Sequence, residues 1–358
     1  MNSKNMEFWE KAVLHRSASL KDAVENLTAT CLRISLVVDE AGLLVGTITD
    51  GDIRRALMNG KSLTADITHV MNHKPLVVPP NMSEGVVGRL MQANGILQIP
   101  IVDSSGILLG LHLSDNSMEV KKARESLMVI MAGGKGKRLR PHTESCPKPM
   151  LLVGDSPMLE HIIVRARNDG FVKFVLCLNY LGEMVREYFG DGRSLDVSIE
   201  YVNEDHPLGT AGALSLLQEI PGMPFLVSNG DVLSDISYSN VLNFHDIHSA
   251  EVTMAIKKHE YKNPFGVVNL DGISITGIEE KPVSESYVNA GIYVISPRVL
   301  GLLRRNEYCD MPDLVSRACQ SGIRCVGYPM HEPWLDVGRE EDLILANSNK
   351  RFISDVPL

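Results

Sequence analysis

Residues 127–150 read LMVIMAGGKGKRLRPHTESCPKPM, and the parsing of this stretch decides the fold. Residues 127–131 are an unbroken apolar run bounded by a glycine turn. They predict a strand buried on both faces. The strand runs straight into Gly133, Gly134 and Gly136. Glycines let the backbone approach a ligand closely and aim successive N–H groups into a nest that favours anions. Lys135, Lys137, Arg138, Arg140 and Lys148 put five cations into residues 133–148, against one acid, Glu144. Cations at this density repel one another unless a polyanion sits among them. A triphosphate is the ligand this predicts. The loop is not a Walker A sequence, because GxxxxGK[ST] cannot be laid on GGKGKRL. Nor is it a Rossmann fingerprint, since Leu139 stands near the place of the third glycine.

Downstream, residues 174–178, 199–202 and 225–227 read as short apolar strands, and residues 158–168 and 211–218 as helices. Strands alternating with helices predict βαβ units and a mostly parallel, Rossmann-like sheet over residues 125–350. In such sheets ligands bind at the carboxyl ends of strands, and polar clusters fall at four of these ends. Ser228-Asn229-Gly230-Asp231 and Trp334-Leu335-Asp336-Val337-Gly338 each offer a carboxylate at a glycine turn. Magnesium takes one or two carboxylates plus phosphate oxygens, so Asp231 and Asp336 are the expected metal ligands. Glu279-Glu280-Lys281-Pro282 precedes Asn289-Ala290-Gly291, and Glu204 precedes Leu208-Gly209-Thr210-Ala211-Gly212.

The first third of the chain repeats itself. Residues 20–58 hold a helix-like stretch, an apolar strand, a turn at Ala41-Gly42, a second strand over 44–49, and Asp50-Gly51-Asp52 opening a helix. Residues 82–116 repeat the order: helix-like 82–91, strand 98–103, turn Ser105-Gly106, strand 108–113, then Ser114-Asp115-Asn116. Two copies of one unit imply two sheets packed on each other. On VVDEAGLLVGTITDGDIRRAL and PIVDSSGILLGLHLSD, residues 8–122 resemble an α+β tandem CBS pair, or Bateman module, with repeats at 8–62 and 63–122. That family holds an adenine nucleotide with Gly-x-x-Ser/Thr-x-x-Asp. The resemblance implies ribose and phosphate contacts from Thr49 and Asp52, in register with Gly46. Leu113 and Asn116 break the pattern in the second copy, and Asp52 can equally cap its own helix.

The glycine loop also carries a resemblance. GGxGxRLxPxTxxxPKPMLxVG, followed by features as far as Gly338, is similar to the sugar-1-phosphate nucleotidyltransferases across residues 127–345. The resemblance implies that Ala132, Gly133, Gly134, Gly136 and Lys137 wrap the triphosphate of an NTP, with Asn229 beside it. It also implies that Arg138 and Lys148 act on the reacting phosphates and that Mg2+ is held by Asp231 and Asp336. Lys281 would hold the sugar phosphate, with Gly266, Glu280 and Asn289 lining the sugar pocket. Glu204, Gly209 and Thr210 would edge the base pocket. LGTAG is similar to the guanylyl branch, which favours GTP, but it also occurs in uridylyl relatives, so UTP, CTP and dTTP stay open. The CBS pair joined to this domain resembles a bacterial group that includes glucosamine-1-phosphate guanylyltransferases of legionaminic acid synthesis. Glucose, mannose and heptose 1-phosphates are the other sugars to weigh. The alternative of another class is a nucleotide-sensing regulatory protein without catalysis. Retention of Arg138, Lys148, Asp231, Lys281 and Asp336 speaks against it.

Composition bounds these readings. The chain has 358 residues and a net charge of −9, and the whole excess of acid lies after residue 124. That balance argues against nucleic acid as a partner, whose binding needs broad phosphate neutralisation. The cysteines, Cys31, Cys146, Cys177, Cys309, Cys319 and Cys325, form no CxxC pair, so free thiols of a reducing compartment are expected. With no signal-like start and no membrane-length apolar run, the expectation is a cytoplasmic protein without a membrane partner. CBS pairs commonly associate, which implies a homodimer or higher oligomer.

Overall fold

Residues 127–131 do become a strand with a core on each face. In β6 (Arg124–Met131), Met128 and Ile130 point into one hydrophobic cluster and Val129 into another, and all three are fully buried. Each such burial is worth roughly 1.5–3 kcal/mol, so this strand alone anchors both layers. The computed structural model describes residues 9–30, 32–113, 124–349 and 352. Contacts divide the chain into two units, Met1–Glu119 and Val120–Leu358.

In the first unit, β1 (Val13–His15) pairs in parallel with β2 (Ile34–Val38), which is antiparallel to β3 (Leu44–Thr49). Helices α1 (Leu20–Thr30) and α2 (Asp50–Met58) cover the first repeat through Leu20, Ala23, Ile53 and Ala56. In the second repeat, α3 (Glu84–Asn94) precedes the hairpin of β4 (Gln98–Val102) and β5 (Leu108–Leu113). The expected packing of repeat on repeat is visible where Ile34, Leu36 and Leu108 share a cluster. Helix α3 starts two residues later than residue 82, because Ser83 and the two prolines before it precede the first helical turn. Cys31 and Asn116 lie outside the described residues.

The second unit continues with β7 (Leu152–Val153), β8 (Ser156–Pro157), α4 (Met158–Asn168), β9 (Phe171–Leu178), α5 (Gly182–Phe189) and β10 (Ser198–Asn203). Next come α6 (Gly209–Gly212), β11 (Phe225–Asn229), β12 (Val232–Ser234), α7 (Tyr238–Ile247) and β13 (Val252–Lys262). The chain then forms the hairpin β14 (Val267–Asp271) and β15 (Ser274–Glu279), the long β16 (Val283–Ile295), α8 (Met311–Gln320), β17 (Cys325–Met330), β18 (Trp334–Asp336) and α9 (Glu340–Ser348). The central sheet runs β10-β9-β6-β11-β16-β13-β17. It is parallel throughout except that β16 is antiparallel to both of its neighbours. Helices α4, α5 and α7 pack on one face. Helix α8 packs on the other through Met311, Leu314 and Ala318. The architecture is therefore α/β with a parallel-rich central sheet.

The expected helix over 211–218 is a correction. Helix α6 ends at Gly212 and tightens into a 3-10 turn, Ala213–Leu216. The Ser215 hydroxyl donates to the Gly212 carbonyl at 2.7 Å, which competes with continuation of the helix.

From β6 the chain runs outward to β9 and β10 on one side, then returns to place β11 on the other. This reversal of strand order is where open α/β sheets form a crevice. The carboxyl ends of β6 and β11 deliver Ala132-Gly133 and Gly230-Asp231 to it side by side, with the Gly230 N–H bonded to the Met131 carbonyl at 2.9 Å.

Candidate active site

Close approach accounts for two of the loop glycines. A Cβ at Gly133 would lie 2.8 Å from Glu204 Oε1 and 3.1 Å from Asn179 Cβ. Gly136 adopts φ +57°, and a Cβ there would lie 2.9 Å from Thr143 Cγ2 and 3.0 Å from Lys148 Cβ. Gly134 has open space on its Cβ side, so the fold itself makes no such demand at that position. Ala132 is buried, and its N–H bonds the Cys177 carbonyl at 2.9 Å. Lys137 and Arg138 enter a single 3-10 turn that Leu139 anchors in the core. Of the five loop cations only Lys148 is buried; Lys135, Lys137, Arg138 and Arg140 are exposed. Repulsion among them is thus relieved partly by water, a milder conflict than a buried cluster would create.

Lys148 is the centre of the charged cluster. Its Nζ pairs with Asp231 Oδ2, and both side chains are largely withdrawn from solvent. Strand β12, directly after Asp231, pairs with β18 so that Val232 lies opposite Asp336. The Val337 N–H bonds the Asp231 carbonyl at 3.1 Å and fixes that register. The Asp336 carboxyl is pushed above its ordinary range, first by lost solvation and then by the negative charge of Asp231. Lys148 and Arg138 oppose the rise. Arg138 lies over Gly338, where a Cβ would come within 3.4 Å of Nη2. Two mutually repelling carboxylates beside a loop rich in cations and N–H groups are hard oxygen donors, and this donor set fits a divalent cation.

Glu204 connects the glycine loop to the expected base loop. One carboxylate oxygen accepts from the Leu208 N–H at 2.8 Å while the other faces Gly133. Loss of solvation raises its carboxyl, against the favourable Leu208 bond. Gly209 adopts φ +79°, with a Cβ position only 2.6 Å from the Cys309 carbonyl. The Thr210 hydroxyl accepts from the Met311 N–H at 2.8 Å and donates to Asp310 at 3.3 Å. It has no second proton to offer a ligand.

On the other side of β11, a Cβ at Gly291 would lie 2.8 Å from Asn229 Nδ2, and Asn289 accepts from the Gly291 N–H at 3.0 Å. Asn289 also donates to the Tyr293 hydroxyl. Glu280 approaches Gly266, whose Cβ position is 3.0 Å from Glu280 Oε2. Lys281 is exposed and adopts φ +48°. Among the described residues, neither Glu280 nor Lys281 bonds to the Lys148–Asp231 cluster. The structure therefore assembles Arg138, Lys148, Asp231 and Asp336 in one place and leaves the Glu280–Lys281 turn on a separate, solvated arm.

In the first unit, Thr49 caps α2, and Asp52 Oδ2 accepts from the Thr49 N–H at 2.8 Å and its hydroxyl at 2.7 Å. Arg55 pairs with the other Asp52 oxygen. Both expected ligand residues are engaged in a helix cap. Asp310, Asn179 and Tyr293 are site-bordering residues that the sequence reading missed. Asp310 at the head of an amphipathic helix reads as that helix's own cap, and its partner Thr210 is too distant in sequence to find by pattern.

The sheet and the cation-bearing glycine loop at its strand-order reversal define an α/β protein with a parallel-rich central sheet. The nucleotidyl transferase family model matches residues 127–351, and CBS domain models match residues 10–59 and 66–111. The chain belongs to the nucleotidyl transferase family and carries two CBS domains. It is 32% identical over 228 residues to the mannose-1-phosphate guanylyltransferase of Mycobacterium tuberculosis, covering 62% of this chain and 63% of that protein. It is 35% identical over 229 residues to the mannose-1-phosphate guanyltransferase of Pichia angusta, covering 60% and 62% respectively. The chain thus spans less than two thirds of the length of these curated relatives. A solved structure assigned as a glucose-1-phosphate thymidylyltransferase from Bacillus anthracis superposes with a TM-score of 0.53 at 24% identity, over 65% of this chain and 97% of that one. A UDP-glucose pyrophosphorylase gives 0.50 at 19% identity, over 62% and 97%. These two show a shared fold. The described cysteines are free thiols, and no described helix is long and apolar enough to cross a membrane.

Proposed function

We propose that the chain transfers a nucleotidyl group from an NTP to a sugar 1-phosphate, with GTP as the favoured donor. The observation that carries this reading is the Lys148–Asp231 pair with Asp336 and Arg138 beside it, at the switch point and next to the glycine loop. An oxygen of the sugar phosphate attacks the α-phosphorus in line. The bond from the α-phosphorus to the bridging oxygen breaks, and pyrophosphate leaves with the electron pair. The attacking oxygen is already anionic, so positioning and charge neutralisation do most of the work. Lys281 holds the sugar phosphate, assisted by Glu280, Gly266 and Asn289. Lys148 and Arg138 offset charge on the reacting phosphates. Asp231 and Asp336 would hold Mg2+, which when bound supplies neutralising charge to phosphate oxygens.

Support for GTP comes from the LGTAG run and from the guanylyltransferase names of the relatives. The CBS combination favours glucosamine 1-phosphate as the acceptor, whereas those relatives favour mannose 1-phosphate as a second reading. Residues 8–122 serve as a regulatory pair for an adenine nucleotide in this proposal, with Thr49 and Asp52 forming a helix cap, and residues 125–350 as the catalytic domain. A homodimer is proposed as the working assembly.

Pyrophosphate release measured for GTP, UTP, CTP and dTTP, each against glucosamine, mannose, glucose and heptose 1-phosphates, tests the assignment. Highest kcat/KM with GTP and glucosamine 1-phosphate is expected. Highest activity with mannose 1-phosphate selects the second acceptor, and no turnover with GTP contradicts the favoured donor.

A further inference from the structure

Asp310 and Thr210 tie the starts of α8 and α6 together. Asp310 occupies the N-cap of α8 with extended backbone geometry, yet its carboxylate makes no bond to that helix. It accepts instead from the Thr210 N–H at 3.0 Å and the Thr210 hydroxyl at 3.3 Å, at the start of α6. The Thr210 hydroxyl in turn accepts from the Met311 N–H at 2.8 Å, the first N–H of α8. Thr210 is the second residue of α6, whose N-cap is Leu208, so neither bond is a local cap. Each bond fixes one helix start against the other.

The backbones around them are joined as closely. The Ala211 and Gly212 N–H groups both bond the Cys309 carbonyl, at 2.9 and 3.0 Å, and the Cys309 N–H returns a bond to the Leu208 carbonyl at 2.9 Å. A Cβ at Gly212 would lie 2.6 Å from the Glu307 carbonyl. The Tyr308 hydroxyl donates to the second Asp310 oxygen at 2.7 Å. On its opposite side the loop is held by Glu204, through Leu208. The segment 208–212 is thus clamped from both sides, by one carboxylate that abuts the phosphate loop and one that belongs to α8.

We infer that Asp310 is a specificity-determining positioning residue, holding the base loop through Thr210 so that the loop discriminates among nucleotide bases. This rests on the proposed nucleotidyl transfer. Removing the carboxylate leaves the Thr210 N–H and hydroxyl proton without their acceptor and releases the loop on its α8 side. The charged cluster lies on other elements, and on the sugar side Tyr293, which Asn289 bonds, lies near the Asp310 charge with no hydrogen bond joining the two among the described residues.

The test is steady-state kinetics of the full-length protein and its Asp310→Ala, Asp310→Asn and Thr210→Val variants with GTP, UTP, CTP and dTTP. For Asp310→Ala, loss of charge-assisted bonds should raise KM for the preferred NTP about tenfold, with KM for the sugar phosphate moving by less than about twofold. The kcat/KM ratio between the preferred and next-best NTP should shrink by about fivefold or more. Asp310→Asn keeps an acceptor oxygen and should restore most of that ratio. An Asp310→Ala enzyme with a lowered Tm but an unchanged NTP ratio, or one indistinguishable from Asp310→Asn, overturns the inference. Should Asp310→Ala fail to fold, Thr210→Val decides: a ratio reduced in the same direction supports the inference, and an unchanged ratio overturns it. Wild-type protein that turns over no NTP overturns the proposed function and this inference with it, whereas active wild type with unaltered variant ratios overturns this inference alone.

Discussion

Asp52 and Asp231 are two carboxylates that the sequence marks in the same way, each in a short motif that follows a strand and each expected at a phosphate-bearing ligand. Their surroundings differ. Asp52 directs one oxygen to the Thr49 N–H and hydroxyl and the other to Arg55, all within its own helix start. Asp231 faces a lysine 83 positions away in sequence and raises the titration range of a third residue, Asp336. The first arrangement is satisfied locally and needs no ligand. The second gathers charges from three separated segments that nothing local would bring together. Motif register alone does not separate these cases, whereas accounting for each oxygen's partners does.

The same isosteric substitution at both positions breaks the comparison most sharply. Asp231→Asn should lower kcat by on the order of a hundredfold to a thousandfold, as loss of one charge-stabilising group does at comparable sites, while the thermal transition stays near wild type. Near-normal kcat would remove Asp231 from the chemistry. Gly136→Ala should come next. Its φ of +57° and the 2.9 Å approach to Thr143 imply a cost of about 1–3 kcal/mol, read by denaturant unfolding together with weaker NTP binding. Unaltered stability would show that the loop tolerates a side chain there.

Asp52→Asn should cost only about 0.5–1.5 kcal/mol, the loss of charge from a satisfied cap. Its signature is a shift in the unfolding of the first unit. If it abolished binding of an adenine nucleotide with no change in stability, Asp52 would be a ligand residue rather than a cap, and the contrast with Asp231 would collapse.

The smallest expected effect concerns a buried histidine outside both clusters. His245 is 1% exposed and bonds the hydroxyls of Thr253 and Ser296. Burial holds its pKa below the ordinary 6.5, against the opposing charges of Asp246 and Glu251. Because the unfolded chain takes up the proton first, this contribution is complete above pH 6.5 and is lost as pH falls below it. Unfolding free energies of wild type and His245→Asn, compared between about pH 7 and pH 5, should show a shallower acid loss in the variant. Parallel pH profiles would contradict that reading.

Much of the fold was legible because hydrophobic patterning and glycine placement are local. The apolar run at 127–131 announced a two-sided strand, and β6 has a core on each face. The repeated strand–turn–strand units of the first third became β2–β3 and β4–β5. The helix expected over 211–218 was cut short by a local bond from the Ser215 hydroxyl and by the clamp from Cys309 and Asp310, which no sequence window contains. The cluster of Arg138, Lys148, Asp231 and Asp336 was legible as a set, since each residue stands at a strand end or in the loop. The use of Thr210 was not, because its partners lie 100 and 101 positions onward.

The central claim is that the charged cluster serves transfer of a nucleotidyl group. Phosphorus-31 NMR of wild-type protein with GTP, Mg2+ and a hexosamine or hexose 1-phosphate reads that transfer directly. The triphosphate and sugar-phosphate signals should be replaced together by a sugar-linked diphosphate and pyrophosphate in equal amounts. Release of inorganic phosphate with the sugar phosphate unchanged, or unaltered spectra with all four NTPs, would contradict it.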